Sequence, residues 1–192
     1  MTGVDLSRDM LSQAAQKARD AGLEIPFVCQ DMCHLQLHRR QDAILCTCDG
    51  VNYLTTPDRA RHFFRAAYAQ LKPGGALIFD VSTPEKLSGT LGDHTLGCQE
   101  EDISYIWQNA YHPRTRTVDM RLSIFVGDTD GRYQRLEETQ TQRAHTLEEL
   151  TKYLVEAGFA DIRAYGKLTL RAPRPGDERW HIRAIRPKEN AK

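Results

Sequence analysis

Ala43-Ile44-Leu45-Cys46-Thr47-Cys48 is the stretch on which the fold turns. Apart from Thr47 it is apolar on both faces that a strand presents, so it reads as a strand shielded from water on either side. Such strands belong to parallel sheets covered by helices, and the flanking sequence supplies helices. On the carboxyl side, Thr56-Pro57 sets a capping hydroxyl before a proline at the first helical position, opening a helix through Phe63, Phe64, Ala67 and Leu71. Lys72-Pro73-Gly74-Gly75 reads as the turn that ends it, and Ala76 to Val81 as a further strand.

Toward the amino terminus, Thr2 to Leu6 forms a short strand around Asp5. Ser7 then caps a helix to about Ala21, with Met10, Leu11, Ala14, Ala15 and Ala18 along one side, and Gly22 stops it. Ile25 to Cys29 is the next strand, broken by Asp31, with no helix between it and Ala43. Strand, helix, strand, strand, helix, strand predicts an α/β, Rossmann-like doubly wound sheet.

From Ile103 the periodicity changes. Ile103, Tyr105 and Trp107, then Val118, Met120, Leu122, Ile124 and Val126, alternate with polar residues, as half-buried antiparallel strands do. Asp128 to Gly131 turns the chain into a third such strand from Tyr133 toward Arg143, completing an inserted β meander that serves as lid or side sheet. Thr146-x-x-Glu149 is a capping box for a helix carrying Leu147, Leu150, Tyr153 and Leu154 and ending at Gly158. Ile162 to Tyr165 and Trp180 to Ile185 close the sheet, Arg171 to Arg179 is a loop, and residues 187–192 fray. The expected organisation is a partial cofactor-binding region over 1–102, an antiparallel insertion over 103–145, and a carboxyl-terminal helix with closing strands of the same domain over 146–192.

The composition narrows the partners. With 192 residues, 40% of them hydrophobic and 27% charged, the chain supports one cored domain. Lys plus Arg and Asp plus Glu balance at 26 each, which leaves no electrostatic footprint for nucleic acid or an anionic membrane and favours a small-molecule substrate. No apolar run approaches the ~18 residues of a membrane span, and Met1 to Met10 lacks the features of a leader, so a cytoplasmic location is expected. The five cysteines show no disulfide framework. Zinc held by Cys29, Cys33, His34 and His38 is disfavoured because the ligand pairs lack the usual spacing.

Asp5 stands at the carboxyl end of its strand, where an acid can accept the hydroxyls of a ribose or simply favour the start of the following helix. Asp31 ends the next strand, as an acceptor for an adenine amino group or a solvated strand end. Asp49-Gly50-Val51-Asn52-Tyr53 lies just past Ala43 to Cys48, at the edge where open parallel sheets bind ligands, with Asn52 as a donor and Tyr53 as an aromatic wall. His112, in a turn, and His145, beside a helix cap, read as structural or solvated, which leaves the catalytic residues unassigned.

In this order, Gly3-Val4-Asp5-Leu6-Ser7-x-x-Met10-Leu11, Gln30-Asp31-Met32, Asp49-x-x-Asn52-Tyr53-Leu54 and Leu71-Lys72-Pro73-Gly74-Gly75 resemble class I S-adenosylmethionine-dependent methyltransferases. Trp107, Glu138, Arg143, Thr146 to Leu150 and Ala157-Gly158-Phe159 extend the likeness, to a bacterial small-molecule group with an inserted antiparallel sheet. The resemblance implies that Asp5 binds the ribose of S-adenosylmethionine, Leu6 and Met10 flank its adenine, Asp31 and Met32 recognise the adenine edge, and Cys48 with Asp49 borders the methionine part. Asn52 and Tyr53 then face the acceptor. Family members carry a strand and a glycine-rich loop ahead of the Gly-Val-Asp segment, so the chain reads as truncated before its second strand, with impaired activity. A non-catalytic binding or regulatory remnant, a nicotinamide-dependent Rossmann enzyme, and a homodimer face on the insertion are the alternatives kept open.

Overall fold

The structure, a computed structural model, describes residues 1–188, and the expected fraying of 189–192 lies outside the described residues. Its strands fall into three sheets. In the first, β1 (Gly3–Asp5) pairs in parallel with β2 (Phe27–Cys29), with α1 (Arg8–Asp20) between them in sequence. The main sheet has the order β3-β4-β10-β9. Here β3 (Gln41–Cys46) runs parallel to β4 (Leu71–Ser82), and β10 (Arg179–Ile185) runs antiparallel to both β4 and β9 (Ala160–Gly166). The third sheet is antiparallel, with β5 (Thr95–Gln99), β6 (Ile103–His112), β7 (Thr117–Gly127) and β8 (Tyr133–Arg143) in sequence order.

The helix signals in the sequence act locally. Ser7 Oγ accepts from the Met10 amide at 3.2 Å at the start of α1, and Thr56 Oγ1 accepts from the Arg59 amide at 3.3 Å at the start of α2 (Pro57–Gln70). At α3 (Leu147–Ala157) the capping box closes in both directions, with Glu149 N–H donating to Thr146 Oγ1 at 3.2 Å and Thr146 N–H to Glu149 Oε2 at 3.1 Å. Gly158 stops α3 at φ 101°, where a β-carbon would also lie 3.1 Å from the Tyr68 ring.

Helices α2 and α3 cover one face of the main sheet. Phe63, Phe64, Leu150 and Leu154 bury themselves against Leu77 and Phe79, and the Phe64 and Phe79 ring centroids are 5.4 Å apart. Each such side chain contributes about 1.5 to 3 kcal/mol on burial. The opposite face departs from the two-sided burial expected of β3. Leu45 is 67% exposed and Ile78 37%, because among the described residues nothing packs there.

The small β1–β2 sheet is not hydrogen-bonded to the main sheet, so β1 and β3 each keep one free edge. What joins the two is a 3-10 turn at Met32–His34. It inserts Cys33 into the core, ties Asp31 to Arg59 of α2 at 3.1 Å, and is followed by the Leu37 amide donating to Gln70 Oε1 at 3.0 Å.

Three further expectations change. β3 ends at Cys46 rather than Cys48. Lys72 to Gly75 is no simple turn but a bulge within β4: the register passes from Gln41 opposite Leu71 to Ala43 opposite Ala76, and a β-carbon on Gly75 would approach the Lys72 carbonyl to 2.9 Å. The antiparallel sheet begins at Thr95 rather than Ile103, preceded by a π-helical turn at Lys86–Leu91. From that turn, Leu87 and Leu91 form a second core with Val118 and Met120, against which Trp107 and Tyr111 pack. No described helix is long and apolar enough to cross a membrane.

Candidate active site

The candidate residues stand at the carboxyl ends of strands, because β1 and β2 run parallel and so do β3 and β4. Asp5 closes β1. Its Oδ1 accepts from the Ser7 amide at 2.8 Å, and Oδ2 has no protein partner among the described residues. Beside it at the start of α1, Leu6 and Met10 are 69% and 62% exposed. A half-free carboxylate next to two exposed apolar side chains sets a hydrogen-bond acceptor beside an apolar floor.

The Gln30 amide donates to the Asp5 carbonyl at 3.0 Å, so β2 ends level with β1 and Asp31 follows at the same edge. Its carboxylate is already engaged, Oδ1 with the Cys33 amide at 2.9 Å and Oδ2 with Arg59. Burial pushes this carboxyl up, but the Cys33 amide and Arg59 outweigh it and hold it below the usual range. Asp31 is therefore foremost the cap of the turn that docks the small sheet on α2, leaving only its remaining lone pairs for an adenine. Met32, half-buried, packs on the core beside it.

Past β3 the backbone is strained. Cys48 and Asp49 lie at φ 59° and 60°, a left-handed pair without glycine that costs about 1 to 2 kcal/mol per residue. Gly50 follows, and a β-carbon there would sit 2.8 Å from Cys46 Sγ. The Asp49 carboxylate accepts from Arg179 Nη2 at 2.9 Å and from Ser82 Oγ at 3.0 Å, and Ser82 Oγ accepts in turn from Lys86 Nζ at 3.0 Å. Arg179 also grips Asp80, which receives the Asp49 amide at 3.3 Å. Asp80, Ser82, Lys86 and Arg179 escape a reading of the sequence because tertiary pairing brings them to Asp49: the β3–β4 register carries Asp80 and Ser82 there, Lys86 follows Ser82 by four residues, and the β10–β4 register sets Arg179 opposite Ser82.

Asn52 does not face a substrate. It is fully buried, its Nδ2 donates to the carbonyls of Ser82 at 3.1 Å and Arg143 at 3.0 Å, and its Oδ1 receives the Ser82 amide at 2.9 Å. With donor and acceptor both used on backbone, it joins the ends of β4 and β8 to the loop past β3. Tyr53 is 40% exposed, and its hydroxyl donates to Gln140 of β8, whose amide donates to Glu138.

Below Asn52, Arg143 Nη1 lies 2.7 Å from His145 Nδ1, and Arg143 Nη2 reaches Glu149 at 2.9 Å. Because Arg143 must donate, His145 accepts at Nδ1 and carries its proton on Nε2. Burial first and the Arg143 charge second lower its pKa to about 4, so it is neutral at pH 7. Burial also raises Glu149, but the Thr146 amide and the two arginines Arg143 and Arg116 more than reverse this, to about 2. His112 bonds Asp119 at 2.9 Å on the half-exposed antiparallel sheet. Burial raises the Cys46 thiol to about 12 and Cys33 to about 11, so neither is a thiolate at neutral pH.

A family model described as a methyltransferase domain matches residues 1–75. YqeM of Bacillus subtilis (strain 168), named as a methyltransferase, is 36% identical over 189 residues, covering 98% of this chain and 76% of the relative. A protein of Geobacillus sp. (strain WCH70), also named as a methyltransferase, is 34% identical over 179 residues, 93% of this chain and 72% of its own. The crystal structure of an S-adenosylmethionine-dependent methyltransferase from Clostridium acetobutylicum ATCC 824 superposes with a TM-score of 0.91 at 31% identity, over 98% of this chain and 75% of that one. CalS10, an amino pentose methyltransferase from Micromonospora echinaspora, shares the fold with a TM-score of 0.72 at 23% identity, over 96% and 73%.

Proposed function

The chain belongs to the class I S-adenosylmethionine-dependent methyltransferases, and from that premise we propose that it methylates a small-molecule acceptor held at the carboxyl edge of the main sheet, beside Tyr53 and the antiparallel sheet. The nicotinamide alternative falls with the family assignment. The observation that carries the acceptor reading is the bond from Tyr53 to Gln140, which draws β8 over the carboxyl edge of the main sheet.

S-adenosylmethionine, the cofactor of this family, supplies a methyl group already activated on a sulfonium. The protein's task is then to bind, align and exclude water. Asp5 offers its free oxygen to the ribose, Leu6 and Met10 cover the adenine, Asp31 and Met32 flank its edge, and Cys48 with Asp49 lines the methionine side. β1 and β3 each keep a free edge, and a strand with a glycine-rich loop set between them would complete the wall on the methionine side. The expected boundary between 102 and 103 moves back, because the antiparallel sheet runs from Thr95 to Arg143; ahead of it lies the cofactor-binding region, and after it α3 with the closing strands of the same domain.

The acceptor's nucleophile is a neutral amine or a carboxylate. Such groups need no proton removed before attack, and neither histidine is placed to remove one: His145 is sealed and neutral under Arg143, and His112 pairs with Asp119. Titration of S-adenosylhomocysteine by calorimetry, into this chain and into a form extended upstream through its genomic frame, tests the assignment. The extended form is expected to bind in the micromolar range, and Asp5→Ala to weaken it by about tenfold or more, one to two charge-assisted hydrogen bonds. Absence of binding in both forms overturns the cofactor site, and equal binding by both removes the upstream loop from it.

A further inference from the structure

Arg179 begins the last strand, yet its guanidinium works at the far side of β4. One nitrogen meets Asp49 at 2.9 Å and the other meets Asp80, and the Asp49 amide returns to Asp80 at 3.3 Å. The ring of contacts closes around the only two adjacent non-glycine residues of positive φ among the described residues, Cys48 and Asp49. The Asp49 and Asp80 side chains are 16% and 7% exposed. Two carboxylates so shielded repel each other unless a cation spans both, and a planar fork spans two acceptors where a point charge serves one. Ser82 Oγ on Asp49 is the second tie, and Lys86 fixes that hydroxyl.

Strain of this kind persists where the surroundings over-determine it, and it clusters where backbone must meet a ligand. A turn that needed only to leave β3 could do so with glycine at no such cost; here the sequence keeps Cys48 and Asp49 and supplies a clamp from 130 positions away. Resting on the cofactor reading above, we propose that Arg179 is a positioning residue for methyl transfer: by bridging Asp49 and Asp80 it holds the left-handed Cys48–Asp49 turn in the shape that meets the methionine end of the cofactor.

Calorimetric titration of S-adenosylhomocysteine into the upstream-extended chain, run beside thermal melts, tests this with Arg179→Lys, Arg179→Gln and Ser82→Ala. Lysine keeps the charge and loses the fork. Arg179→Lys is expected to melt within a few degrees of the parent yet bind about tenfold more weakly. Arg179→Gln is expected to bind more weakly still, and Ser82→Ala to lose a few-fold. Amide resonances of Cys48, Asp49 and Gly50 shift in Arg179→Lys while those of α2 and α3 stay. Parental affinity in Arg179→Lys overturns the proposal and leaves the cofactor reading intact. If both arginine variants fail to fold, parental affinity in Ser82→Ala overturns it equally. Failure of the parent to bind removes the cofactor reading and this inference together, whereas parental binding that Asp5→Ala weakens and Arg179→Lys does not removes this inference alone.

Discussion

The two ends of the candidate site are built in opposite ways. At the nucleoside end, α1 buries Ala18 alone among its residues, while Leu6 and Met10 stand in solvent. At the other end, α2 buries Ala60, Phe63, Phe64 and Ala67, and Asp49 is held by partners from β4 and β10. One end has its stability invested in itself, and the other keeps its apolar surface for something else to cover. A protein can leave a ligand-facing element loose when the fold's free energy resides in a different layer.

The sharpest way to break this contrast is truncation on each side. Phe64→Ala, which empties a site between Phe63 and Phe79, is expected to cost about 3 to 5 kcal/mol in urea unfolding, whereas Met10→Ala should stay within about 0.5 kcal/mol. Equal losses at the two positions would erase the distinction.

A second effect, smaller, concerns acid. His145 has its folded pKa near 4, below the ordinary 6.5, so the folded state binds fewer protons. The stability it contributes is complete above pH 6.5 and is lost as pH falls toward 4, by about 3 kcal/mol. Glu149 acts in the same sense but lower, between its ordinary 4.5 and about 2. Urea midpoints taken from pH 7 to pH 4 should therefore slope downward in the parent and flatten in His145→Gln. A slope unchanged by that substitution would move the acid sensitivity elsewhere.

The smallest expected effect sharpens the comparison at its seam. Arg59→Ala removes a partly exposed ion pair with Asp31 and should cost no more than about 1 kcal/mol overall. Hydrogen exchange of the β2 amides and the Met32–His34 turn should nonetheless accelerate while α2 is unchanged. Uniform acceleration would mean that the small sheet and the main sheet open as one unit.

The same contrast explains what sequence reading reached. Caps at Ser7, Thr56 and Thr146 were legible because donor and acceptor lie three residues apart, and the alternation of β6 and β7 because one face is more buried than the other, partly in β6 and fully at Val118 and Met120 of β7. β5 was not, since Thr95–Gln99 is exposed throughout and has no burial pattern to display. The Lys72–Gly75 bulge was read as a turn because its residues suit either, and only the offset against Gln41 and Ala43 decides between them. Asp5 could be nominated from its place at a strand end, and Leu6 and Met10 only through the family resemblance. Arg179 and Asp80 could not, because their union depends on pairing across 99 positions, and Asn52 presented the chemistry of a ligand contact while spending it on backbone.

Asn52 also bears on the order of events in folding. Its partners lie 30 and 91 positions away, so its bonds form only after the β3–β4 unit and the end of β8 are both in place. Contacts that close last are absent from the transition state, and weakening them hastens unfolding while leaving refolding nearly unchanged. Asn52→Ala is therefore expected to shorten the native protein's life against proteases and heat by hastening unfolding, with refolding little changed.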